Sequence, residues 1–358
     1  MRLAILSGIL LLGCIGLASS DDTSNIEFRK QIGPVYNPPV VYKGNLYFLA
    51  STGILYKGLS NLTSVKNIFQ TKLNSVSGII LIDGVLYFGE GLHDDNKTNL
   101  YAYDVIENKV LFKTEVAGHI EKTPSIFKNL VIVGLGPGGI SAFDSKTGKA
   151  VWAISEYEGK KIHVDSTPIV DDEKIYFGSI YENKSIFCHD ANSGKYIWSV
   201  AMAKSPKADL VLSGEKLVSI ATEADFSNKN RVVPSDFVVL DLKTGKILLS
   251  QPLRGYTVFP QIVEGGEAFV SLSTGDIILV NIETGKIKVV DQFPEPFLAS
   301  TFKRNDDFCA ASVVGRLVCY KNNVATKKDK LGDAVLGNIT KKIDGKIYLP
   351  TRMAYRIL

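Results

Sequence analysis

Two six-residue segments place a histidine, an acidic residue and a Thr-Pro pair at the same spacing. His119–Pro124 reads HIEKTP and His163–Pro168 reads HVDSTP, so the two segments match position for position. Two imidazoles and two carboxylates could bind a divalent metal ion or transfer protons. Equivalent positions in neighbouring structural repeats are, however, usually too far apart to share a ligand. We therefore expect a repeated strand entry whose polar side chains bond the backbone, and no metal site.

Two further segments contain residue types that can bind ligands. Leu135–Gly139 is glycine-rich, but it fills a turn between two predicted strands and opens no helix. A phosphate-binding loop needs the N-terminus of a helix behind it. His93 is followed by two aspartates in a long polar stretch, which is typical of a surface loop. Neither segment predicts a ligand site, and we assign no catalytic or cofactor-binding residue.

The four cysteines are Cys14, Cys188, Cys309 and Cys319. They include no CxxC pair, so the spacing gives no support to a zinc site. Cys309 and Cys319 flank a predicted hairpin tip and face each other on neighbouring strands. A disulfide in an oxidising compartment and two buried thiols in a β-core are two open alternatives for this pair. Cys188 lies in a predicted core strand and is interpreted as packing.

One phrase recurs along the chain and predicts its architecture. Ala142–Trp152 reads AFDSKTGKAVW, in which an Asp bonds the following turn and a Gly accepts positive φ, as expected for a hairpin. The copies are Cys188–Trp198, Val239–Leu249, Leu279–Val289 and a degenerate copy, Ala102–Phe112. Internal repeats of this kind determine the fold class before any other feature.

The repeated turn residues and the aromatic residues after them are assigned structural roles. The turn positions are Asp144, Gly148, Asp190, Gly194, Asp241, Gly245 and Gly285. Trp152 and Trp198 each end one copy of the phrase, on the outer strand of the unit. Large flat side chains at this position can wedge one unit against the next.

Eight units of about 43 residues, each with about four strands, indicate an all-β, eight-bladed β-propeller. Seven blades is the fallback if the last unit is vestigial. The last unit has no room for its outermost strand, and Ile26–Gln31 resembles that strand. We therefore predict that N- and C-terminal strands together close the ring, which removes free sheet edges.

Residues 1–20 are interpreted as a signal segment and residues 21–358 as a single propeller domain. Leu3–Leu12 is apolar but too short to span a bilayer. Cleavage before Asp21 and lipidation of Cys14 within a lipobox-like stretch remain two open alternatives. The net charge is only +4 and the sequence contains no dense run of Lys and Arg, so no nucleic-acid partner is expected. Membrane contact is expected only through a lipid at Cys14.

The phrase resembles the tryptophan-docking repeat of the pyrroloquinoline-quinone (PQQ)-like propellers. Ala142–Trp152 matches this pattern completely, whereas Cys188–Trp198 has Cys for Ala and Ser for Thr. One branch of this superfamily is the quinoprotein dehydrogenases, which hold quinone and calcium. The other is the BamB family, a scaffold of the outer-membrane β-barrel assembly machinery without a cofactor. In length, secretion signal and blade count the chain is similar to the second branch.

The resemblance implies a non-enzymatic scaffold that binds partner proteins and acts as a monomer within a complex. The longer inserts between strands should gather on one face, where Phe226, Val232 and Val233 are candidate partner contacts. A quinoprotein dehydrogenase is one alternative, but that branch has vicinal cysteines and this chain has none. The other alternative is a secreted eukaryotic binding propeller, which N-glycans at Asn61 or Asn183 would indicate. The expected location is the periplasm or outer membrane in a bacterium, and the extracellular space in a eukaryote.

Overall fold

A computed structural model of the chain describes residues 32–62, 64–224, 230–339 and 342–358. These residues form thirty-two β-strands, β1 to β32 in chain order. Within the described ranges, no helix has the length and apolar character that crossing a membrane would require. The all-β prediction is confirmed. Ile26–Gln31 and the signal segment lie outside the described residues.

Seven four-stranded antiparallel sheets, called blades 1 to 7, follow one another along the chain. Blade 1 comprises β1 (Val40–Tyr42), β2 (Asn45–Leu49), β3 (Ile54–Leu59) and β4 (Lys66–Gln70). Blade 2 comprises β5 (Ile80–Ile82), β6 (Val85–Gly89), β7 (Lys97–Asp104) and β8 (Lys109–Ala117). Blade 3 comprises β9 (Ser125–Phe127), β10 (Leu130–Gly134), β11 (Ile140–Asp144) and β12 (Ala150–Ile154). Blade 4 comprises β15 (Ile169–Asp171), β16 (Lys174–Ser179), β17 (Ser185–Asp190) and β18 (Tyr196–Ala201).

Blade 5 comprises β19 (Val211–Ser213), β20 (Lys216–Thr222), β21 (Pro234–Asp241) and β22 (Ile247–Arg254). Blade 6 comprises β23 (Ile262–Glu264), β24 (Glu267–Ser271), β25 (Asp276–Asn281) and β26 (Ile287–Gln292). Blade 7 comprises β27 (Phe302–Arg304), β28 (Asp307–Ala311), β29 (Arg316–Lys321) and β30 (Val324–Lys330). Strands β13 (Glu156–Tyr157) and β14 (Lys160–Lys161) form a separate hairpin in the segment that joins blade 3 to blade 4. The last two strands, β31 (Tyr348–Thr351) and β32 (Ala354–Ile357), form a two-stranded closing sheet.

The first strand of each blade lies nearest the central axis and the fourth lies at the rim. First strands of blades 4 to 7 line one central cavity of about 770 Å³. Second and third strands are buried, as in β10, whereas the fourth strand β8 is mostly exposed. Middle strands therefore read as continuous apolar runs, because neighbouring blades cover both of their faces. This arrangement is a β-propeller.

The antiparallel order sorts the connections onto two faces. Turns between the third and fourth strands, including every copy of the repeated phrase, lie on what we call the lower face. Connections between the second and third strands lie on the opposite, upper face. Connections that lead from one blade into the next also lie on the upper face, because each blade has an even number of strands. The upper face therefore collects the segments that do not repeat.

The repeated hairpins lie against the preceding blade. A Cβ atom added to Gly194 would lie 2.8 Å from Cδ2 of Trp152, and one on Gly245 would lie 2.5 Å from Cε3 of Trp198. Gly148 approaches Phe112 in the same way, at 2.5 Å, and both Gly148 and Gly194 have positive φ, of 67° and 69°. These glycines therefore leave room for a side chain of the preceding blade, in addition to the turn that the sequence indicates.

The acidic residue of each phrase holds the turn. The Asp144 carboxylate accepts hydrogen bonds from the backbone N–H of Thr147 at 2.8 Å and from its hydroxyl at 2.7 Å. Asp241 binds Thr244 in the same way, and Asp190 accepts from the backbone N–H of Ser193 at 2.7 Å. These bonds lower the pKa of the Asp144 carboxyl, its hydrogen bonds with Thr147 being the main cause. The turn is an Asx turn closed by Thr or Ser.

The closing sheet lies between blades 7 and 1. The Val35 N–H donates to the carbonyl oxygen of Thr351 at 3.1 Å, and the Tyr355 hydroxyl donates to that of Asn37 at 2.6 Å. On its other side, Leu349 belongs to the same core cluster as Leu317 of blade 7. The C-terminal part of the predicted closure is thus present at an eighth position. The count of eight blades stays a prediction, because Ile26–Gln31, the predicted outer strand of the eighth blade, lies outside the described residues.

Cys309 and Cys319 are cross-strand partners in β28 and β29. Their Cα atoms are 4.1 Å apart and their sulfur atoms are joined in the structure. Cys188 lies buried in β17 without a bridge, and burial raises the pKa of its thiol to about 11. We retain the disulfide as a proposal, to be tested in solution.

Replacing Gly194 by alanine should separate the docking contact from the turn conformation. Gly194→Ala is expected to lower the free energy of unfolding by about 2–4 kcal/mol, because left-handed backbone strain and overpacking against Trp152 add. Gly159→Ala is the matched control, since Gly159 has φ of 75° and no atom within 4 Å of an added Cβ. The control should cost only about 1–2 kcal/mol in urea unfolding. Equal costs for the two variants would contradict the docking role.

The proposed disulfide should contribute to stability under oxidising conditions. The double variant Cys309→Ala/Cys319→Ala is expected to lose about 2–4 kcal/mol of unfolding free energy. A reductant should lower the unfolding free energy of the wild-type protein to nearly that of the double variant. It should leave the unfolding free energy of the double variant unchanged. Alkylation of both cysteines in denatured, non-reduced protein would show instead that they are thiols.

Candidate functional site: a histidine–aspartate cluster on the upper face

The upper face opens into a cavity of about 820 Å³. The residue four positions before the first strand contributes to its lining in six successive blades. In blade order these residues are Tyr36, Val76, Glu121, Asp165, Lys207 and Val258. One repeat position is therefore directed at the axis, and its chemistry changes around the ring from apolar to acidic to basic.

Three of the four histidines gather around one carboxylate at this cavity. His119 Nε2 lies 3.2 Å from Asp165 Oδ1, and His163 Nε2 lies 2.9 Å from Asp165 Oδ2. His93 Nδ1 lies 3.9 Å from Asp165 Oδ2. One potential ligand atom from each of these four residues falls within 4.8 Å of the others. We call these four residues the histidine–aspartate cluster.

A backbone bridge brings the two repeated segments together. The N–H of Val164 donates to the carbonyl oxygen of Gly136 at 2.9 Å, and the N–H of Gly136 donates back at 3.1 Å. Gly136 also lies under the His119 ring, where an added Cβ would come 2.3 Å from Nε2. The glycine-rich turn thus positions His119 of one connection beside His163 and Asp165 of the next.

His93 comes from an insert rather than from the repeat. The insert joins β6 to β7 in blade 2, and the side chain of His93 is 56% exposed, whereas that of His119 is fully buried. Tyr181, from the insert between β16 and β17, places its hydroxyl 3.3 Å from His93 Nε2. The Tyr181 ring also packs edge-on against His163, with centroids 4.8 Å apart. Two inserts and two inter-blade connections therefore meet at one point.

Charges in the cluster shift its pKa values in opposite directions. Burial disfavours ionised Asp165, but its hydrogen bonds with His119 and His163 outweigh this and hold the pKa of its carboxyl well below the usual range. Burial also disfavours protonated His119, yet Asp165 and Glu121 raise the pKa of that imidazole. The neighbouring Glu121 has a raised pKa because of burial and the charge of Asp165. The cluster thus favours ionised Asp165 paired with an imidazolium.

The expectation that equivalent positions on neighbouring blades lie too far apart is wrong for this pair. His119 and His163 occupy equivalent positions, yet their ring centroids lie 6.1 Å apart and both imidazoles contact Asp165. His93, interpreted from the sequence as a plain loop residue, is a member of the same cluster. A hint was present in the sequence, because the insert that carries His93 is one of the longer ones on the expected binding face.

The candidate partner contacts lie on or near the third long insert, between β20 and β21. Val232 is 48% exposed, while Val233 is half-buried and its carbonyl accepts the N–H of Gly255 at 2.9 Å. Phe226 lies outside the described residues. The inserts of blades 2 and 4 also carry exposed apolar residues, Leu92 at 37% and Tyr181 at 47%. The structure thus places apolar surface from three inserts on the upper face.

The fold and its repeat define the class as a PQQ-like β-propeller. The family model described as "Outer membrane protein assembly factor BamB" matches residues 91–183 and 182–296. The chain belongs to this family.

Similar proteins agree with that assignment at the level of fold. The outer membrane protein assembly factor BamB of Legionella pneumophila (strain Paris) is 26% identical over 175 residues, covering 46% of this chain. That match spans 41% of the Legionella protein, less than half of its length. The crystal structure of BamB from Moraxella catarrhalis superposes with a TM-score of 0.69 at 15% identity, covering 89% of this chain and 92% of that one. The crystal structure of quinohemoprotein alcohol dehydrogenase from Comamonas testosteroni superposes with a TM-score of 0.67 at 15% identity, covering 88% of this chain and 70% of that one.

Replacing Asp165 by asparagine should make the loss of unfolding free energy depend on pH, because the cluster contains an ionised carboxylate paired with an imidazolium. In a chelating buffer, Asp165→Asn is expected to lose about 1–3 kcal/mol of unfolding free energy at about pH 5.5 and less at about pH 8. The raised pKa of His119 contributes stability below about pH 6.5, which is lost as the pH rises through the folded-state pKa. The lowered pKa of Asp165 contributes stability above about pH 4, which is lost in acid.

Urea unfolding at the two pH values measures the effect, and Asp94→Asn is the control. Asp94 is exposed and follows His93 directly. A difference between wild type and Asp165→Asn that stays constant from about pH 5.5 to about pH 8 would contradict the paired state of the cluster.

Proposed function

We propose that this protein is a non-enzymatic propeller scaffold that binds partner proteins during outer-membrane protein assembly. The observation that carries the proposal is the match of residues 91–296 to the family of that description. The fold likeness to Moraxella BamB, at 15% identity, supports the propeller architecture of such a scaffold over 89% of the chain. Partner binding would use the upper face, and the chain would act as a monomer within a larger complex.

The surface chemistry of the upper face supports this choice of interface. Leu92, Tyr181 and Val232 are exposed on inserts from three different blades, so the apolar contacts come from separate segments. Exposed apolar residues surrounded by polar ones are typical of protein-binding surfaces. Charged residues border them, including the ion pair between Lys184 and Glu223 at 2.9 Å. Such a mixture favours a protein partner over a lipid surface.

The two alternatives receive less support from this chain. Quinoprotein dehydrogenases share the fold at 15% identity or less, which carries no information on activity. The vicinal cysteines that the resemblance associates with that branch have no counterpart in this sequence. The sequons do not exclude a glycosylated eukaryotic propeller, because Asn61 is exposed, whereas Asn183 is 6% exposed and its side-chain oxygen accepts a hydrogen bond from Ser185 at 2.7 Å.

We further propose that the chain is exported and acts in the bacterial periplasm or at the outer membrane. Residues 1–20 and 21–358 would be the signal segment and the mature propeller. Mass spectrometry of the mature N-terminus separates the two modes of processing. Lipidated Cys14 would place the protein on a membrane, and free Asp21 would make it a soluble secreted chain.

Charged substitutions on the upper face should reduce capture of the assembly machinery. The double variant Leu92→Glu/Val232→Glu, expressed in the organism that encodes the chain, should lower copurification of outer-membrane assembly components by about 10-fold or more, as loss of an interface hot spot does. Levels of β-barrel proteins in the outer membrane should fall with it. Quantitative proteomics of affinity-purified protein and of isolated membranes measures both effects.

Val151→Glu is the matched control, because Val151 is 51% exposed on the rim strand β12 and lies away from the upper face. The control should retain both capture and β-barrel levels. Normal capture by the upper-face variant would contradict the interface. Bound quinone together with calcium-dependent dye reduction in the purified protein would contradict the non-enzymatic assignment.

A further inference from the structure

We propose that His93, His119, His163 and Asp165 bind one divalent transition-metal ion of the zinc class. The inference is independent of the proposed scaffold function. Four potential ligand atoms, three imidazole nitrogens and one carboxylate oxygen, already lie within 4.8 Å of one another. They come from three separate segments, so chain proximity alone does not account for their convergence.

The donor set selects the chemical class of the ion. Imidazole nitrogens suit Zn²⁺ and other late first-row ions, whereas Ca²⁺ and Mg²⁺ take oxygen ligands. Tetrahedral zinc with bonds of about 2.1 Å separates its ligand atoms by roughly 3.4 Å. Asp165 Oδ2 lies 2.9 Å from His163 Nε2 and 3.9 Å from His93 Nδ1, and the other oxygen, Oδ1, lies 3.2 Å from His119 Nε2. All four ligand atoms fall within 4.8 Å of one another, so small inward movements of these side chains would complete the site.

One of the three histidines has the outer hydrogen bond that supports a metal ligand. His93 presents Nδ1 toward Asp165 while its other nitrogen, Nε2, faces the Tyr181 hydroxyl at 3.3 Å. A hydrogen bond at the second nitrogen is what fixes the ring of a metal-bound histidine. Gly136 fixes the position of His119 from below, where a side chain would collide with the ring. On binding, the metal displaces the protons that imidazole nitrogens now share with Asp165, and these protons pass to solvent.

The number of protein ligands indicates a structural role for the ion. Four protein ligands close a tetrahedral site, whereas catalytic zinc sites keep one position for water or substrate. The ion would join the insert of blade 2 to the connections that enter blades 3 and 4. It would therefore hold part of the upper face in one arrangement.

The test is a titration of the purified full-length mature chain with Zn²⁺ after removal of metals with a chelator. We expect one Zn²⁺ per chain by calorimetry, and Co²⁺ should give the visible absorption of tetrahedral coordination. His93→Ala should weaken zinc binding by at least about 100-fold, because even loss of a second-shell partner costs 10–100-fold. Tyr181→Phe should weaken it by about 10-fold. Zn²⁺ should raise the thermal midpoint of wild type and leave that of His93→Ala unchanged.

His93→Ala is chosen because its side chain is 56% exposed, so the variant should fold like wild type without zinc. Circular dichroism and the metal-free thermal midpoint check this. Asp94→Asn, at the exposed neighbouring position, should bind zinc as wild type does. Retention of less than about a tenth of an equivalent of Zn²⁺ after equilibrium dialysis would overturn the proposal, and so would wild-type affinity in His93→Ala. The first result would mean that the cluster is a hydrogen-bonded network only, and the second that His93 is not a ligand and the four-ligand site is wrong.

Discussion

The ring depends on the close approach of the lower-face hairpins of blades 3 to 6 to the outer strand of the preceding blade. Gly194 under Trp152 and Gly245 under Trp198 allow contacts that no side chain with a Cβ could make without movement. A four-stranded blade has two apolar faces and cannot bury either of them alone. Each blade must therefore be covered on both sides, and a closed ring is the arrangement that achieves this for every blade. The repeated phrase encodes the turn and the inter-blade contact in the same eleven residues.

Features that recur could be predicted from the sequence, because repetition separates signal from chance. Asp144 and Gly148 indicate a hairpin by themselves, and their copies give the period and the all-β fold. Apolar positions that recur about every 43 residues, from Leu46 in β2 to Phe308 in β28, lie in the second strands of the seven blades. The eighth blade is harder to predict from the sequence, because its outer strand would come from the other end of the chain. Its C-terminal strands are at the expected place, between blades 7 and 1.

The histidine–aspartate cluster could be predicted only in part. The sequence shows that His119 and His163 occupy equivalent positions, but the distance between such positions depends on how far the connections lie from the axis. A bridge between Gly136 and Val164 brings those connections together, and nothing in the repeat indicates that bridge. His93 belongs to an insert of one blade, so periodicity carries no information about it. Side chains that converge on an axis from unrelated segments are therefore the least predictable part of a propeller.

The lower and upper faces divide the roles of the chain. Lower-face hairpins repeat because every blade needs the same contact with its neighbour. On the upper face, the position that points to the axis holds Glu121, Asp165 and Lys207 in blades 3 to 5, and apolar side chains in blades 2 and 6. The polar part of the ring is also where the inserts carrying His93 and Tyr181 meet. Leu92, an exposed apolar residue of the proposed interface, precedes His93 directly in the chain. An ion bound at His93 would restrict the segment that also carries Leu92, so the proposed ion site and the proposed partner surface would be energetically coupled.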